Sequence, residues 1–244
     1  MMDDRGIRRV VLAGFLLALT LLLVFTRVGM IPMPTPAGNA TVAHIPAIVG
    51  GLLEGPLVGL IVGLGLGFAS FVNATVPMFK DPMVAIMPRL FIGVVAALVY
   101  AGVRRLDKRG LLAIGVAMLL LLLGASWQLG RERPIMGVIW AAVALAAAAA
   151  LWFWLQREDV ALVRVGIAAG AGSLTNTVLV LGMAVVRAYL TLPVAAGIGL
   201  THGLPEMIVS ALITIGVVAA VRNLGGRRRR QAKRSSAMSG RKGG

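Results

Sequence analysis

The chain contains no cysteine, and only 14% of its 244 residues are charged. The first absence excludes a small disulfide-stapled secreted domain. It is otherwise silent on redox compartment, because a membrane protein needs no disulfide to bury its core. The second leaves far fewer charges than the roughly one quarter found in soluble domains. Acidic residues are scarcest: nine Asp and Glu stand against 24 Lys and Arg, for a net charge of +15. No G-x-x-x-x-G-K-[ST] phosphate loop occurs, and no soluble stretch is present to hold one. Two lone histidines, with no Cys and no close carboxylate pair, argue against a metal site and call for no cofactor. What is abundant is apolar: 59% of residues are hydrophobic, and mean hydropathy is +0.92. That excludes a water-soluble globular domain and a disordered chain, and it makes the lipid bilayer the expected solvent.

Apolar segments of about spanning length cover 7–26, 56–73, 82–105, 160–187 and 201–222, with a further pair inside 111–155. The first follows Arg5, Arg8 and Arg9, as a signal peptide would. The nearest small-x-small site, Gly38-Asn39-Ala40, lies too far downstream, so the segment reads as a retained helix. An eighth segment, 41–54, makes roughly 21 Å of helix, short of a ~30 Å hydrocarbon core. Counting it as a crossing places 18 of the 24 basic residues on one side. These are Arg5, Arg8, Arg9, Arg104, Arg105, Lys108, Arg109, Arg157, Arg164 and nine between Arg222 and Lys242. The positive-inside rule then predicts eight crossings with both termini cytoplasmic. Residues 1–222 form one all-α membrane domain, and 223–244 a basic disordered tail that either anchors orientation or binds anionic lipid heads. The charge is a topological collar and no nucleic-acid face.

If the short helix covers part of the bilayer, residues 28–40 complete the depth. With Pro32, Pro34 and Pro36 they are not regular helix. Irregular backbone at membrane depth is tolerated where protein buries it or a cavity contains water or ligand, which points to a pocket lidded by this loop. An ordinary extracellular loop above a tilted helix is the plainer alternative. Intramembrane polar residues bear on the choice, since they are rare without a role. Thr41, His44, Asn73, Arg89, Thr175, Asn176, His202 and Glu206 fall in one slab, the outer half, and are the candidate substrate-binding residues. Each has a duller reading. Arg89, after Pro88, is placed to cap carbonyls freed by the kink, to pair with Glu206, or to bind a ligand carboxylate or phosphate. Asn73, Thr175, Asn176 and Thr177 also suit plain interhelical hydrogen bonds. Glu54 reads as solvated at the Gly55-Pro56 turn. Gly59, Gly63 and Gly67 suggest close packing inside the protein, whereas Gly14 and Ala18 suit an internal contact or a partner equally.

Several strings resemble the substrate-binding S components of energy-coupling factor (ECF) vitamin transporters. They are Thr41-Val42-Ala43-His44-Ile45-Pro46-Ala47-Ile48-Val49-Gly50-Gly51, Gly55-Pro56-Leu57-Val58-Gly59 and Met87-Pro88-Arg89-Leu90-Phe91-Ile92-Gly93. Gly172-Ser173-Leu174-Thr175-Asn176-Thr177 and Gly203-Leu204-Pro205-Glu206 follow in the family order. The His-Ile-Pro and Ser-Leu-Thr-Asn-Thr strings are closest to the pantothenate-like branch. The resemblance implies a six-helix core, to which this chain adds the 111–155 hairpin. It also departs at His202, where the family motif usually has Asn. Implied with the family are capture of a vitamin-like molecule outside a prokaryotic plasma membrane and uptake driven by a transmembrane coupling subunit and two ATPase subunits. Gly14 and Ala18 match the small residues that contact that coupling subunit. The protein itself is then no enzyme. A solitary proton-coupled secondary transporter using Glu206 or Asp81 is the alternative, although no inverted repeat of broken helices is apparent. An intramembrane enzyme and an assembly protein are weaker rivals.

Overall fold

The computed structural model describes residues 4–31, 40–132, 134–156 and 160–221. Most of the proline-rich stretch, Arg157 and the basic tail from 223 lie outside the described residues, so the expected lid and the expected disorder of the tail are untouched by it. Eight helices occur among the described residues. They are α1 (Asp4–Phe25), α2 (Ile45–Glu54), α3 (Pro56–Val72), α4 (Pro82–Val103), α5 (Lys108–Glu132), α6 (Pro134–Gln156), α7 (Val160–Val186) and α8 (Leu192–Val221). Four segments, Gly6–Phe25, Pro82–Val103, Val160–Val186 and Leu192–Val221, are long and apolar enough to cross a membrane. A two-residue antiparallel pairing, Met30 with Thr41 and Ile31 with Ala40, closes the base of the proline-rich stretch.

Two helix starts differ from those expected. α2 begins at Ile45, because Ala40 and Thr41 are held in the strand pairing and Pro46 suits the first helical turn, where no N–H is required. α8 begins at Leu192, nine residues before the expected start. Pro193 sits in its first turn, and a π-turn over Gly199–Gly203 carries the helix through the glycine-rich stretch. The α2–α3 corner turns on Gly55, whose φ of +98° is open to glycine without a Cβ penalty.

The core is seamed by glycine. A Cβ on Gly63 would collide with the Arg89 carbonyl oxygen, and one on Gly59 would come within 2.7 Å of the Gly93 carbonyl carbon. The glycine stripe of α3 therefore packs internally, backbone against backbone, on α4. Val62, Leu66, Ile92 and Ala96 fill the seam, with Ile48 of α2 and Ala169 of α7 closing it. The hairpin α5–α6 packs mainly on itself. Gly14 and Ala18 lie exposed on α1, and a Cβ on Gly14 would meet no described atom within 4 Å. At the end of the bundle that holds the α1 N-terminus, Glu54 departs from its expected solvation. Its side chain is 9% exposed and lies 3.0 Å from Arg8 and 3.8 Å from Arg9. A carboxylate buried at a helix corner is stabilised by such partners, which the nearby N-terminal arginines supply.

Candidate functional site

The far end of the bundle gathers the C-termini of α1, α3 and α7 with the starts of α2, α4 and α8. Asn73 ends α3 and donates from its amide to the Val24 carbonyl of α1 at 3.3 Å. Asp81 caps α4, accepting from the Met83 amide at 3.0 Å. It also meets Arg187 Nε, beyond the end of α7, at 2.6 Å. The hydrogen bond from Arg187 holds the Asp81 carboxyl below its ordinary value and raises the guanidinium.

Arg89 owes its position to a break in α4. Pro88 supplies no N–H, and the ladder is interrupted at Ile86, so the carbonyls of Val84 and Ala85 are left short of helical partners. The Arg89 guanidinium turns back to both, donating to Val84 at 3.2 Å and also to Ala85. Its carbon lies 5.0 Å from the Phe79 ring centroid. Of the three readings open for Arg89, carbonyl capping is therefore realised. The capping uses one terminal nitrogen, and Arg89 still lines a cavity of about 90 Å³ with Thr41, Ser70, Asn73, Thr75 and Phe79.

A second group of predicted residues closes on itself beside this cavity. His44, at the head of α2, is fully buried. Its Nε2 lies 2.8 Å from Ser210 Oγ, and its Nδ1 lies 3.9 Å from Glu206 Oε1. The same Glu206 oxygen accepts from the Thr41 amide at 2.8 Å, so α8 holds the root of the proline-rich stretch. Glu206 is near enough to couple electrostatically to Arg89, and Thr177 of α7 lies close by, its hydroxyl donating to the Ser173 carbonyl of its own helix at 3.5 Å. Gly203 admits that neighbour: a Cβ there would lie 2.7 Å from the Thr177 methyl. Asn176 is buried with its Oδ1 unpartnered, and so is the Ser173 hydroxyl. His202 is buried in the π-turn of α8.

The expected set thus divides. Thr41, Asn73 and Arg89 share the cavity, while Glu206 holds the Thr41 amide and His44 lies beside it, bonded through Nε2 to Ser210 and with Nδ1 lacking a hydrogen-bond partner. Thr175 stands apart from both descriptions, its hydroxyl tied to the Ala171 carbonyl of its own helix at 2.7 Å. Ser210, Ser70, Thr75 and Phe79 were missed. Ser210 follows Glu206 by one helical turn, a spacing that marks a shared face. Ser70 lies in α3, Thr75 in the loop after it and Phe79 in a short 3₁₀ turn over Pro77–Lys80, with no comparable periodic cue. Among the described residues no group of three His, Cys, Asp or Glu forms a metal site.

A family model described as ECF transporter, substrate-specific component, matches residues 8–129. No curated protein matches the chain.

Proposed function

This chain belongs to the ECF transporter substrate-specific component family, and from that premise we propose that it captures a small, water-soluble, vitamin-like molecule at the outer face of a prokaryotic plasma membrane. Members of the family bind a small-molecule substrate and work with membrane energy-coupling components; the family is not catalytic. In the proposed arrangement a transmembrane coupling subunit docks on the exposed Gly14–Ala18 face of α1, and two ATPase subunits supply the energy. The eight-crossing topology, with six core helices, the α5–α6 hairpin and cytoplasmic termini, sets the cavity end outward.

The observation that carries the reading is the convergence of Thr41, Asn73 and Arg89 on one cavity. A guanidinium with remaining N–H groups, an amide and hydroxyls suit a carboxylate- and hydroxyl-bearing ligand, which accords with the pantothenate-like branch. Asn176 and Ser173, buried with unpartnered oxygens, and His202 extend the proposed contact set along α7 and α8. Thr175, His44 and Glu206 complete it, Glu206 by holding the Thr41 amide and His44 by lying beside that carboxylate.

Mass spectrometry of small molecules released from the purified protein tests this reading. One vitamin-sized molecule should be retained, and Arg89→Ala and Asn176→Ala should each weaken its rebinding. Unchanged affinity in both variants overturns the site. Uptake that persists without ATPase partners and collapses with a protonophore overturns the subunit role in favour of the proton-coupled alternative.

A further inference from the structure

A larger cavity, about 420 Å³, lies between the α5–α6 hairpin and helices α7 and α8 and shares no lining residue with the candidate ligand cavity. Its walls include Gly115 and Met118 of α5, Ala144 of α6, Gly166 of α7, and Met207 and Ile215 of α8, and every lining residue is apolar or glycine. Such a space offers nothing to a water-soluble substrate, because any polar group entering it would lose its hydrogen bonds. It is not sealed: Leu212 lines it and is 55% exposed, so the cavity opens to the surroundings beside α8. Around helices of spanning length those surroundings are lipid chains.

The charge at one end of the cavity narrows the occupant further. Gly115 is seven residues, roughly 10 Å, along α5 from Lys108, and seven residues is two helical turns, so both sit on one face. Arg164 follows the lining residue Val163 on α7. One of its terminal nitrogens donates to the Leu106 carbonyl at 2.8 Å, while its Nε is buried and without a partner. Arg109 is exposed at the start of α5, and Arg104 and Arg105 lie in the preceding turn. Asp107, the acidic residue among the described ones of this turn, has its carboxylate engaged by the Gly110 amide at 2.8 Å. An apolar slot whose α7 wall at Val163 adjoins Arg164, a half-buried residue with an unsatisfied N–H, matches a lipid tail joined to an anionic headgroup.

We propose that this cavity is a binding site for one anionic phospholipid, its acyl chain between the hairpin and α7–α8 and its phosphate against Arg164. The lipid comes from the leaflet at the Lys108–Arg164 end of the bundle. In this arrangement the lipid completes the packing of the hairpin against the remaining helices. The site is independent of the ligand cavity at the other end and requires nothing of the transported molecule.

The full chain is reconstituted in bilayer discs of equal phosphatidylglycerol and phosphatidylcholine, extracted into detergent and weighed by native mass spectrometry. One retained phosphatidylglycerol, enriched at least fivefold over phosphatidylcholine, is expected. Phosphatidylglycerol bearing a mid-chain photoreactive group should label Met118 and Met207 in the unmodified protein. Arg164→Gln should bring the headgroup preference below twofold, and Ala211→Phe should abolish labelling of both methionines. Equal retention of the two lipids overturns the anionic headgroup assignment. Labelling spread evenly over lipid-facing residues such as Leu57 and Phe68 overturns the site, and this outcome is read in the unmodified chain.

Discussion

The two polar groups at the ligand end of the bundle are built from similar residue types, yet they are arranged oppositely. On the α3–α4 side, Arg89, Asn73 and Thr41 border open space. On the α2–α8 side, His44, Ser210 and Glu206 are buried and turned toward one another and toward the Thr41 backbone. Polar groups satisfied within the protein rigidify it, whereas groups facing a cavity keep donors available for a ligand. Thr41 belongs to both: its residue lines the cavity while its amide is held by Glu206. The comparison teaches that burial of a polar residue in a membrane helix does not by itself identify a contact residue. Whether its partners are already within the protein decides that.

The largest effect is expected from the seam that supports the open side. In Gly63→Leu the new side chain would collide with the Arg89 backbone. Overpacking of this kind costs about 1–3 kcal/mol and sometimes more. The melting temperature in detergent should fall sharply, and ligand retention should be lost with it. Arg89→Ala should spare more of the fold but weaken ligand binding by roughly 10- to 150-fold, the equivalent of about 1.5–3 kcal/mol for a hydrogen bond to a charged group. Isothermal titration with the released ligand measures it, and an affinity loss below threefold would break the contrast between the two sides.

Ser210→Ala probes the closed side, where the effect should be smaller and of another kind. Loss of the His44 partner should cost roughly 1–3 kcal/mol of stability. Ligand affinity in the folded fraction should change less than threefold. A larger affinity loss than that of Arg89→Ala would exchange the roles assigned to the two groups. The smallest effect belongs to the Asp81–Arg187 pair, since half of the Arg187 side chain is exposed. The folded carboxyl lies below its ordinary value of 3.8, so its contribution is fully present above that value. It is lost as pH falls through the lower folded value. Arg187→Gln should lower stability slightly at neutral pH, where the pair is intact, and flatten the further loss below pH 3.8, as melting followed against pH would show.

Much of this arrangement was legible in the chain itself. Apolar runs marked the spanning helices, and Pro88 beside Arg89 already raised the possibility of carbonyl capping. The strings around His44, Arg89, Asn176 and Glu206 resembled a family to which the chain belongs. The beginnings of α2 and α8 were less legible. Strand pairing at Ala40–Thr41 and the π-turn at Gly199–Gly203 depend on neighbours distant in sequence. The pairing of Glu54 with Arg8 and Arg9 joins the start of α1 to the end of α2, and no local pattern announces it. Ser70, Thr75 and Phe79 escaped notice for the same reason: each is ordinary in its own segment and distinguished by what lies across the cavity.

By itself the sequence determined the solvent, the helical class and the kinship, because hydropathy, helix periodicity and motif order are properties read along a chain. Tertiary structure decided which polar residues meet one another and which meet space. Arg89 and His44 are both buried, and only the approach of α2, α4 and α8 gives one a cavity and the other a serine. That approach rests on glycine contacts between backbones, where a missing Cβ shows its consequence only against the helix that fills its place.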